Sequence, residues 1–321
     1  MRGDIEVVTD PTGGVDQPTG VIGAFGDVWF TSIANARLGR VDHASQRIET
    51  FADPAGGAAL PANLFPAADG RIWFTSLGSD RLGALDPAAP DVAASLRTYA
   101  DPRLAKPVAI KASLDEHLWF TLRGSNAVGT LDPRTTDPIA SLRTFAGPGV
   151  DGPSALFVHP GGSVWWVNAG TGTLGTLDSW APDPAATIRT FGPWPDRGRP
   201  RAWAMDAEQR LWVTTQDRPG LLAFDPRRLE GPDAFSWWTD DRLATPDGVW
   251  CGDDGALWAA DTAANAIVRF DPGADGADRW SSYGAPPEVQ GPFDIKSADP
   301  ADGWLWFTNK EGNSLGRIRT V

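Results

Sequence analysis

The sequence predicts an all-β protein, a seven-bladed β-propeller with four-stranded blades, on three observations. A Trp-centred segment recurs seven times at spacings of 44 to 48 residues, and a proline precedes each copy. The chain also ends one strand short of a complete unit, while its first residues form a strand with no unit of its own. Repeats of this length are typical of propeller blades. The seven tryptophans are Trp29, Trp73, Trp119, Trp165, Trp212, Trp258 and Trp306.

Each unit contains four strand signals, which we call strands a to d. Strand a follows the proline, and strand b is the Trp run, as in Trp73-Phe74-Thr75. Strand c resembles 37–42 and strand d resembles 142–145. Strand b is apolar throughout instead of alternating, which predicts a strand buried on both faces. The prolines are Pro18, Pro61, Pro107, Pro153, Pro200, Pro246 and Pro292.

The two ends of the chain predict how the ring closes. The last unit stops after strand c, and residues 4–10 look like a strand d. We therefore expect the N-terminal strand to complete the seventh blade, which removes an open sheet edge. The prediction is one domain over 1–321, with blades near 18–53, 61–101, 107–147, 153–193, 200–240, 246–285, and 292–321 plus 4–10.

Composition excludes several classes of partner and cofactor. The net charge of −13 disfavours nucleic acid and anionic membranes, both of which attract Lys and Arg surfaces. The single cysteine, Cys251, excludes an internal disulfide and a cysteine-based zinc site. The sequence shows no secretory signal and no apolar run of about 18 residues. We expect a cytoplasmic protein, and a monomer, since a ring closed by its own terminus needs no partner.

Candidate site residues lie where strand a begins and strand b ends, because seven such points meet at one face of the central channel. The polar residues there include two carboxylates and a pair of arginines in blades five and six. Trp203, on strand a, is either an aromatic wall for a ligand or a core residue. The polar set is Gln17, Lys106, Asn168, Arg199, Arg201, Asp247, Asp261 and Asn309, with Arg123 and Lys310 one position further.

These residue types suggest specific chemistry. Asp247 or Asp261 could act as a general base, or the two together could hold Mg²⁺ or Ca²⁺ through oxygen. Arg201 or Lys106 could stabilise developing negative charge, and Arg199 with Arg201 could clamp a carboxylate or phosphate. Alternatively, each aspartate caps a turn or pairs with a neighbouring arginine.

Histidine, the usual general base, is predicted elsewhere. His43, His117 and His159 fall in loops of the opposite face, where exposed turns are expected. The sequence therefore predicts no catalytic histidine.

The repeated Trp-Phe-Thr followed by Leu-Gly-Arg resembles the virginiamycin B lyase family over the whole chain. The closest copies are 29–31 with 38–40 and 306–308 with 315–317. The resemblance implies a lyase that opens a macrolactone by elimination, with Mg²⁺ held by glutamates and a histidine as general base.

The resemblance also implies where those residues would stand: the histidine directly after one strand-a proline and a glutamate directly after the strand-b triplet. In this chain neither position carries the expected residue in any blade. The residues after the prolines are Thr19, Ala62, Val108, Ser154, Arg201, Asp247 and Phe293, and those after the triplets are Ser32, Ser76, Leu122, Asn168, Thr215, Asp261 and Asn309.

Three functional hypotheses follow. The first is an enzyme of this kind with a rebuilt centre, acting on a small organic molecule such as a specialised metabolite by elimination, isomerisation, cyclisation or hydrolysis. The second is a propeller that binds such a molecule without turnover, and the third is a protein-interaction platform. Mg²⁺ or Ca²⁺ remains a candidate cofactor, and the sequence requires none.

Overall fold

The computed structural model describes residues 1–231 and 233–321 of the chain. Within them, 28 strands form seven antiparallel sheets of four strands each. This is the all-β, seven-bladed propeller that the repeat predicts, with each sheet forming one blade.

The strands of blades one to four follow the order a to d along the chain. Blade one consists of β2 (Pro18–Ala24), β3 (Asp27–Ser32), β4 (Arg37–Val41) and β5 (Ile48–Ala52). Blade two consists of β6 (Pro61–Pro66), β7 (Ile72–Ser76), β8 (Arg81–Leu85) and β9 (Arg97–Ala100). Blade three consists of β10 (Pro107–Ala112), β11 (Leu118–Leu122), β12 (Ala127–Leu131) and β13 (Arg143–Ala146). Blade four consists of β14 (Pro153–Val158), β15 (Ser163–Asn168), β16 (Thr173–Asp178) and β17 (Arg189–Phe191).

Blades five to seven have the same arrangement. Blade five consists of β18 (Arg199–Met205), β19 (Leu211–Gln216), β20 (Gly220–Phe224) and β21 (Phe235–Trp238). Blade six consists of β22 (Pro246–Cys251), β23 (Leu257–Asp261), β24 (Ala266–Phe270) and β25 (Trp280–Tyr283). Blade seven consists of β26 (Pro292–Ser297), β27 (Trp304–Asn309), β28 (Ser314–Arg319) and, from the other end of the chain, β1 (Ile5–Thr9).

The N-terminal strand completes blade seven as predicted. β1 pairs antiparallel with β28 from Ile5 opposite Ile318 to Thr9 opposite Ser314. Arg317 Nε donates a hydrogen bond of 2.8 Å to the Glu6 carboxylate across the same pair of strands. The two ends of the chain therefore share one sheet, and β28 is not an open edge.

Short helical turns join strands c and d in blades two to four, which the strand pattern did not predict. They are α1 (Val92–Ser95) and two 3₁₀ turns, Pro138–Ser141 and Pro184–Thr187. The hydroxyl that ends each turn accepts a backbone N–H from the end of strand c, as Ser141 does from Asp132 at 2.9 Å. Two further 3₁₀ turns are Gly276–Arg279 and Pro300–Asp302. Among the described residues, no helix is long and apolar enough to cross a membrane.

The contacts within the chain divide it into two compact units. One contains Met1–Trp29, Arg40–Ile48 and Trp194–Val321, and the other contains Phe30–Gly39 and Glu49–Pro193. Each unit has its own buried clusters of strand-b aromatic residues with apolar strand-c residues, such as Trp212 with Phe270 in the first and Trp166 with Val128 in the second. The organisation of 1–321 as a single domain stays a prediction.

A close contact between strands b and c explains the repeated Phe and Gly of the motif. In blade three Phe120 lies opposite Gly129, and a Cβ on Gly129 would stand 2.2 Å from the phenyl ring. Blades two, four and seven have the same arrangement with Gly83, Gly175 and Gly316. The ring therefore lies flat on the backbone of strand c, and only glycine leaves room for it.

The threonine of the motif links one blade to the next. Thr121 accepts the Ala109 N–H of its own strand a at 3.0 Å and lies 2.7 Å from the Ser154 carbonyl of blade four, to which it donates. Strand a has a register shift after its proline, between Pro107 and Ile110 in blade three, which frees the N–H that the threonine takes. This bond holds the start of strand a, where the candidate site lies.

Candidate functional site

Strand register brings two positions of each blade together. The strand-a proline pairs with the residue that follows the strand-b triplet, as Pro246 does with Asp261. The next residue of strand a and the residue that follows the proline's partner are diagonal neighbours on the same face of the blade. In blades five to seven these positions hold Arg201, Asp247 and Phe293 on strand a, and Gln216, Thr262 and Lys310 two residues after the strand-b triplet.

These six residues form one network of contacts, and Asp247 is the centre of its hydrogen bonds. Its carboxylate accepts Arg201 Nε at 2.7 Å and Gln216 Nε2 at 3.2 Å on one oxygen. The other oxygen lies 2.7 Å from the Thr262 hydroxyl, which is also 2.7 Å from the Pro292 carbonyl and donates its one hydrogen to one of the two at a time. The Asp247 side chain is 7% exposed and that of Arg201 is 31% exposed. The aspartate is thus a buried anchor, and the guanidinium extends from it toward solvent.

Phe293 lies between two cations. The Arg201 guanidinium is 5.1 Å from the centre of the phenyl ring, and the Lys310 ammonium is 5.0 Å from it. The two positive groups are therefore no more than about 10 Å apart. Contact with the ring restricts where each charged group can point.

Three of these six residues, Arg201, Asp247 and Lys310, are among the predicted site residues, and the other three are not. Gln216 and Thr262 stand at the same position as Lys310 in their own blades, so the repeat register carried the signal. Phe293 stands at the same position as Arg201 and Asp247, and it was passed over because it is apolar.

Asp261 does not face this network, which corrects its assignment as a base or metal ligand. It is fully buried, and its oxygens accept the backbone N–H groups of Ala244, Thr245 and Ala264 at 2.8 to 3.1 Å. The carboxylate folds the loop that leads into strand a of blade six. This is the turn-capping alternative that the sequence left open.

Asn168 and Asn309 have the same role in blades four and seven. Asn168 accepts the Asp151 N–H and donates to the Gly149 carbonyl, both at 3.0 Å. Asn309 accepts the Gln290 N–H at 2.6 Å and donates to the Glu288 carbonyl at 3.0 Å. Both are 1% exposed, so the structure places neither among ligand-facing residues.

Gln17 and Lys106 precede the strand-a proline of blades one and three and have left-handed backbones, with φ of 48° and 47°. Their N–H groups donate to side chains of the preceding blade, Gln17 to Asn313 at 2.8 Å and Lys106 to Asp80 at 2.7 Å. Both side chains are exposed.

Arg123 and Arg199 are also exposed, at positions beside these loops. The N–H of Arg123 donates to the Lys106 carbonyl at 3.0 Å, so these two residues are neighbours in blade three. Arg199 pairs with Gln216 at the start of β18. The network around Asp247 has its members in blades five to seven.

Trp203 and Cys251 lie on strand a and face away from the network. Trp203 is 5% exposed and packs edge-on against Phe224, with ring centres 6.4 Å apart. Core packing, one of the two predicted alternatives, is therefore its role here. Burial raises the pKa of the Cys251 thiol to about 12, with a further contribution from Asp206 and Asp254, so this thiol is not a nucleophile at neutral pH.

The histidines form no base at this site. His43 and His117 are partly exposed and lie beside Asp302 and Asp115, with nitrogen–oxygen distances of 3.7 and 3.3 Å. His159 is only 3% exposed, which corrects the expectation of an exposed turn. Its Nδ1 accepts the Gly161 N–H at 2.9 Å and closes the turn between β14 and β15.

The residues present do not fit the divalent metal that the family resemblance implies. The oxygens of Asp247 take side-chain donors and those of Asp261 take backbone donors, so the two carboxylates do not converge. Across the described part of the chain, no three His, Cys, Asp or Glu residues come close enough together to hold a metal ion.

Fold and site together define a seven-bladed propeller with a charged cluster on three consecutive blades. The virginiamycin B lyase family model matches residues 6–228, more than half of the 321-residue chain. The chain therefore belongs to the virginiamycin B lyase family. Strands β22 to β28, which with the loops between them supply four of the six residues of the network, lie beyond the matched range.

Solved structures with the same fold come from this family. A catalytically inactive histidine-to-alanine variant of virginiamycin B lyase from Staphylococcus aureus with quinupristin is 17% identical over 99% of both chains, with a TM-score of 0.82. A streptogramin B lyase is 19% identical over 99% of this chain and 98% of its own, at 0.80. The selenomethionine form of the S. aureus enzyme is 16% identical over 99% of both chains, at 0.79. No curated protein sequence matches.

Proposed function

We propose that this chain binds a small organic molecule against Arg201, Phe293 and Lys310. The observation that supports the proposal is the set of contacts among equivalent positions of three blades. Arg201 reaches both Asp247 and Phe293, and Lys310 reaches the same ring. Packing of the blades does not require two cations on one partly exposed phenyl ring, whereas a ligand site uses such groups.

Binding without the family's own reaction fits the residues best. The relative with a histidine replaced by alanine is described as catalytically inactive. In this chain His43, His117 and His159 lie in other turns, and Asp247 is already held by three side-chain donors. The groups that remain open at the site donate hydrogen bonds, and they suit recognition of a ligand better than removal of a proton.

Turnover of the bound molecule is the second candidate function, and the family match favours it. Arg201 and Lys310 would then stabilise negative charge that develops on the substrate during an elimination or a related reaction. Under either function the ligand is a small organic molecule such as a specialised metabolite, and the protein acts as a monomer in the cytoplasm.

A fragment screen by ligand-observed NMR tests the proposal. The library contains anionic, neutral and cationic members, and each binder is retested against Phe293→Ala. The matched control is Phe65→Ala, which removes a ring of blade two that lies 4.7 Å from another cation, Lys111 of blade three. We expect binders that Phe293→Ala weakens at least about tenfold and that the control leaves unchanged.

Two outcomes would contradict the proposal. One is a library with no binder, and the other is equal loss of binding in both variants when both remain folded by circular dichroism. Incubation with quinupristin, followed by mass spectrometry for ring opening, tests the second candidate function separately. Conversion that Arg201→Ala abolishes would favour the enzyme.

A further inference from the structure

The site has more hydrogen-bond donors than the protein uses. Arg201 donates a hydrogen bond from Nε to Asp247, and its two terminal nitrogens have no acceptor among the described residues. The Lys310 ammonium likewise has no carboxylate within ion-pair distance in the described part of the chain, and its recorded contact is the Phe293 ring. Partly buried donors without acceptors are unfavourable unless water or a ligand supplies the missing oxygens.

Two cations around the site have carboxylate partners. Arg201 pairs with Asp247, and Lys296 pairs with Asp294 at 2.8 Å on the same strand as Phe293. Lys310 has no such partner among the described residues, so it supplies net positive charge, while Arg201 contributes direction more than charge. A guanidinium held through Nε presents its terminal N–H groups as a rigid pair, which matches two oxygens of a planar group.

We propose that the ligand carries a carboxylate, which takes two hydrogen bonds from Arg201 and is neutralised by Lys310. This inference rests on the proposed function and names the chemical class that the site selects. A single negative charge matches the one uncompensated ammonium, which favours a carboxylate over a doubly charged phosphate. The carboxylates of Asp247 and Asp294 already have donors, so recognition does not require a divalent cation on them.

Isothermal titration calorimetry in EDTA tests the carboxylate, with benzoate and its neutral counterpart benzamide as probes and inorganic phosphate as the competing oxyanion. Benzoate should bind at least about tenfold more tightly than benzamide, the scale of one charge-assisted contact. Phosphate should bind more weakly than benzoate.

Two variants separate the roles of the cations. Arg201→Lys keeps the charge and loses the pair of donors, so benzoate affinity should fall about tenfold. Lys310→Met removes the charge, and should lower affinity and flatten its dependence on salt. The control is Arg143→Lys, an arginine 5.1 Å from Phe145 in blade three that lacks a carboxylate anchor, and it should leave binding unchanged.

The outcomes separate this inference from the proposed function. Equal binding of benzoate and benzamide, or tighter binding of phosphate, would overturn the carboxylate while leaving a ligand site at Phe293. Absence of binding by these probes together with an empty fragment screen would overturn both. Loss of benzoate binding in EDTA that added Mg²⁺ restores would overturn recognition without a metal.

Discussion

Phe120 and Gly129 lie opposite each other on neighbouring strands of blade three, and the phenyl ring fills the space that a side chain on Gly129 would need. Blade five has the opposite distribution of side-chain volume at the same pair of positions, with the smaller Val213 on strand b opposite the larger Leu222 on strand c. Blade six pairs Ala259 with Val268. The volume of the pair is thus shared between the strands, and either strand can supply the larger residue.

Gly129→Leu should destabilise the protein by about 3 kcal/mol or more, because the ring must leave a fully buried position. Adding Phe120→Val, which copies the pair of blade five, should recover most of the loss. Urea unfolding followed by circular dichroism measures both. A double variant that is no more stable than Gly129→Leu alone would show that the pair does not share its volume.

Asp261→Asn should lower stability by about 1–3 kcal/mol, since an amide NH₂ would then face a backbone N–H that the carboxylate now accepts. The loops around Asn168 and Asn309 instead present one N–H and one carbonyl, which match an amide. The reverse change, Asn168→Asp, should therefore also destabilise. Unfolding midpoints measure both, and benzoate affinity should stay unchanged in Asp261→Asn. Reduced affinity in a folded Asp261→Asn would return this residue to the ligand site.

The free energy of unfolding should decrease as the pH falls, in part because two exposed ion pairs are lost when their carboxylates are protonated. Hydrogen bonds from Arg103 and Arg134 lower the pKa of Asp101 and of Asp132 to about 2. A carboxylate with a lowered pKa contributes stability above its unfolded pKa of about 3.9, and the contribution is lost as pH falls through the folded value. Asp101→Asn with Asp132→Asn should therefore flatten the decline between about pH 4 and pH 2.

The effect at neutral pH should be small, at most about 2 °C in melting temperature, because solvent screens exposed pairs. Melting curves at pH 7, 4 and 2.5 measure the change. Removing the donors instead, by Arg103→Gln with Arg134→Gln, should also reduce the loss of stability over the same acidic pH range. An unaltered acid slope in both double variants would contradict the assignment.

Removal of residues 2–9 should cost several kcal/mol, because β28 then loses the backbone hydrogen bonds of its β1 partner at about 0.5–1.5 kcal/mol each. The exposed edge should also promote association, which sedimentation velocity would detect. Glu6→Ala is the control, since it removes an exposed ion pair and keeps the strand. Its cost should stay below about 1 kcal/mol. Equal stability of the truncated and full chains would contradict closure by β1.

The sequence predicted the architecture well because its signals are repeated. Seven copies of the Trp segment set the blade number, and the unpaired strand signal at 4–10 predicted the closure. The helical turns between strands c and d were not predicted because each spans only four residues, too few for a helical period to show.

The site was predicted less completely, for two physical reasons. Residue type did not distinguish Asp247 from Asp261, since both are buried acids of blade six and only the direction of each side chain separates them. The neutral and apolar residues of the site were also not predicted, because charge was the property that marked the candidates. Gln216, Thr262 and Phe293 belong to the site because of their contacts with Arg201 and Asp247. These partners lie up to 92 positions away in the chain, so the local sequence does not reveal the contacts.

The two positions that form the site recur in every blade, and the strand register fixes their backbone whatever side chain they carry. An exchange at one of them can therefore alter what is recognised without a second exchange elsewhere, whereas Phe120 and Gly129 must change together. In related propeller sequences, residues of the site should therefore differ independently of one another, whereas the two residues of a core pair should differ together. The ligand specificity of the propeller can therefore change many times while the seven-bladed fold is kept.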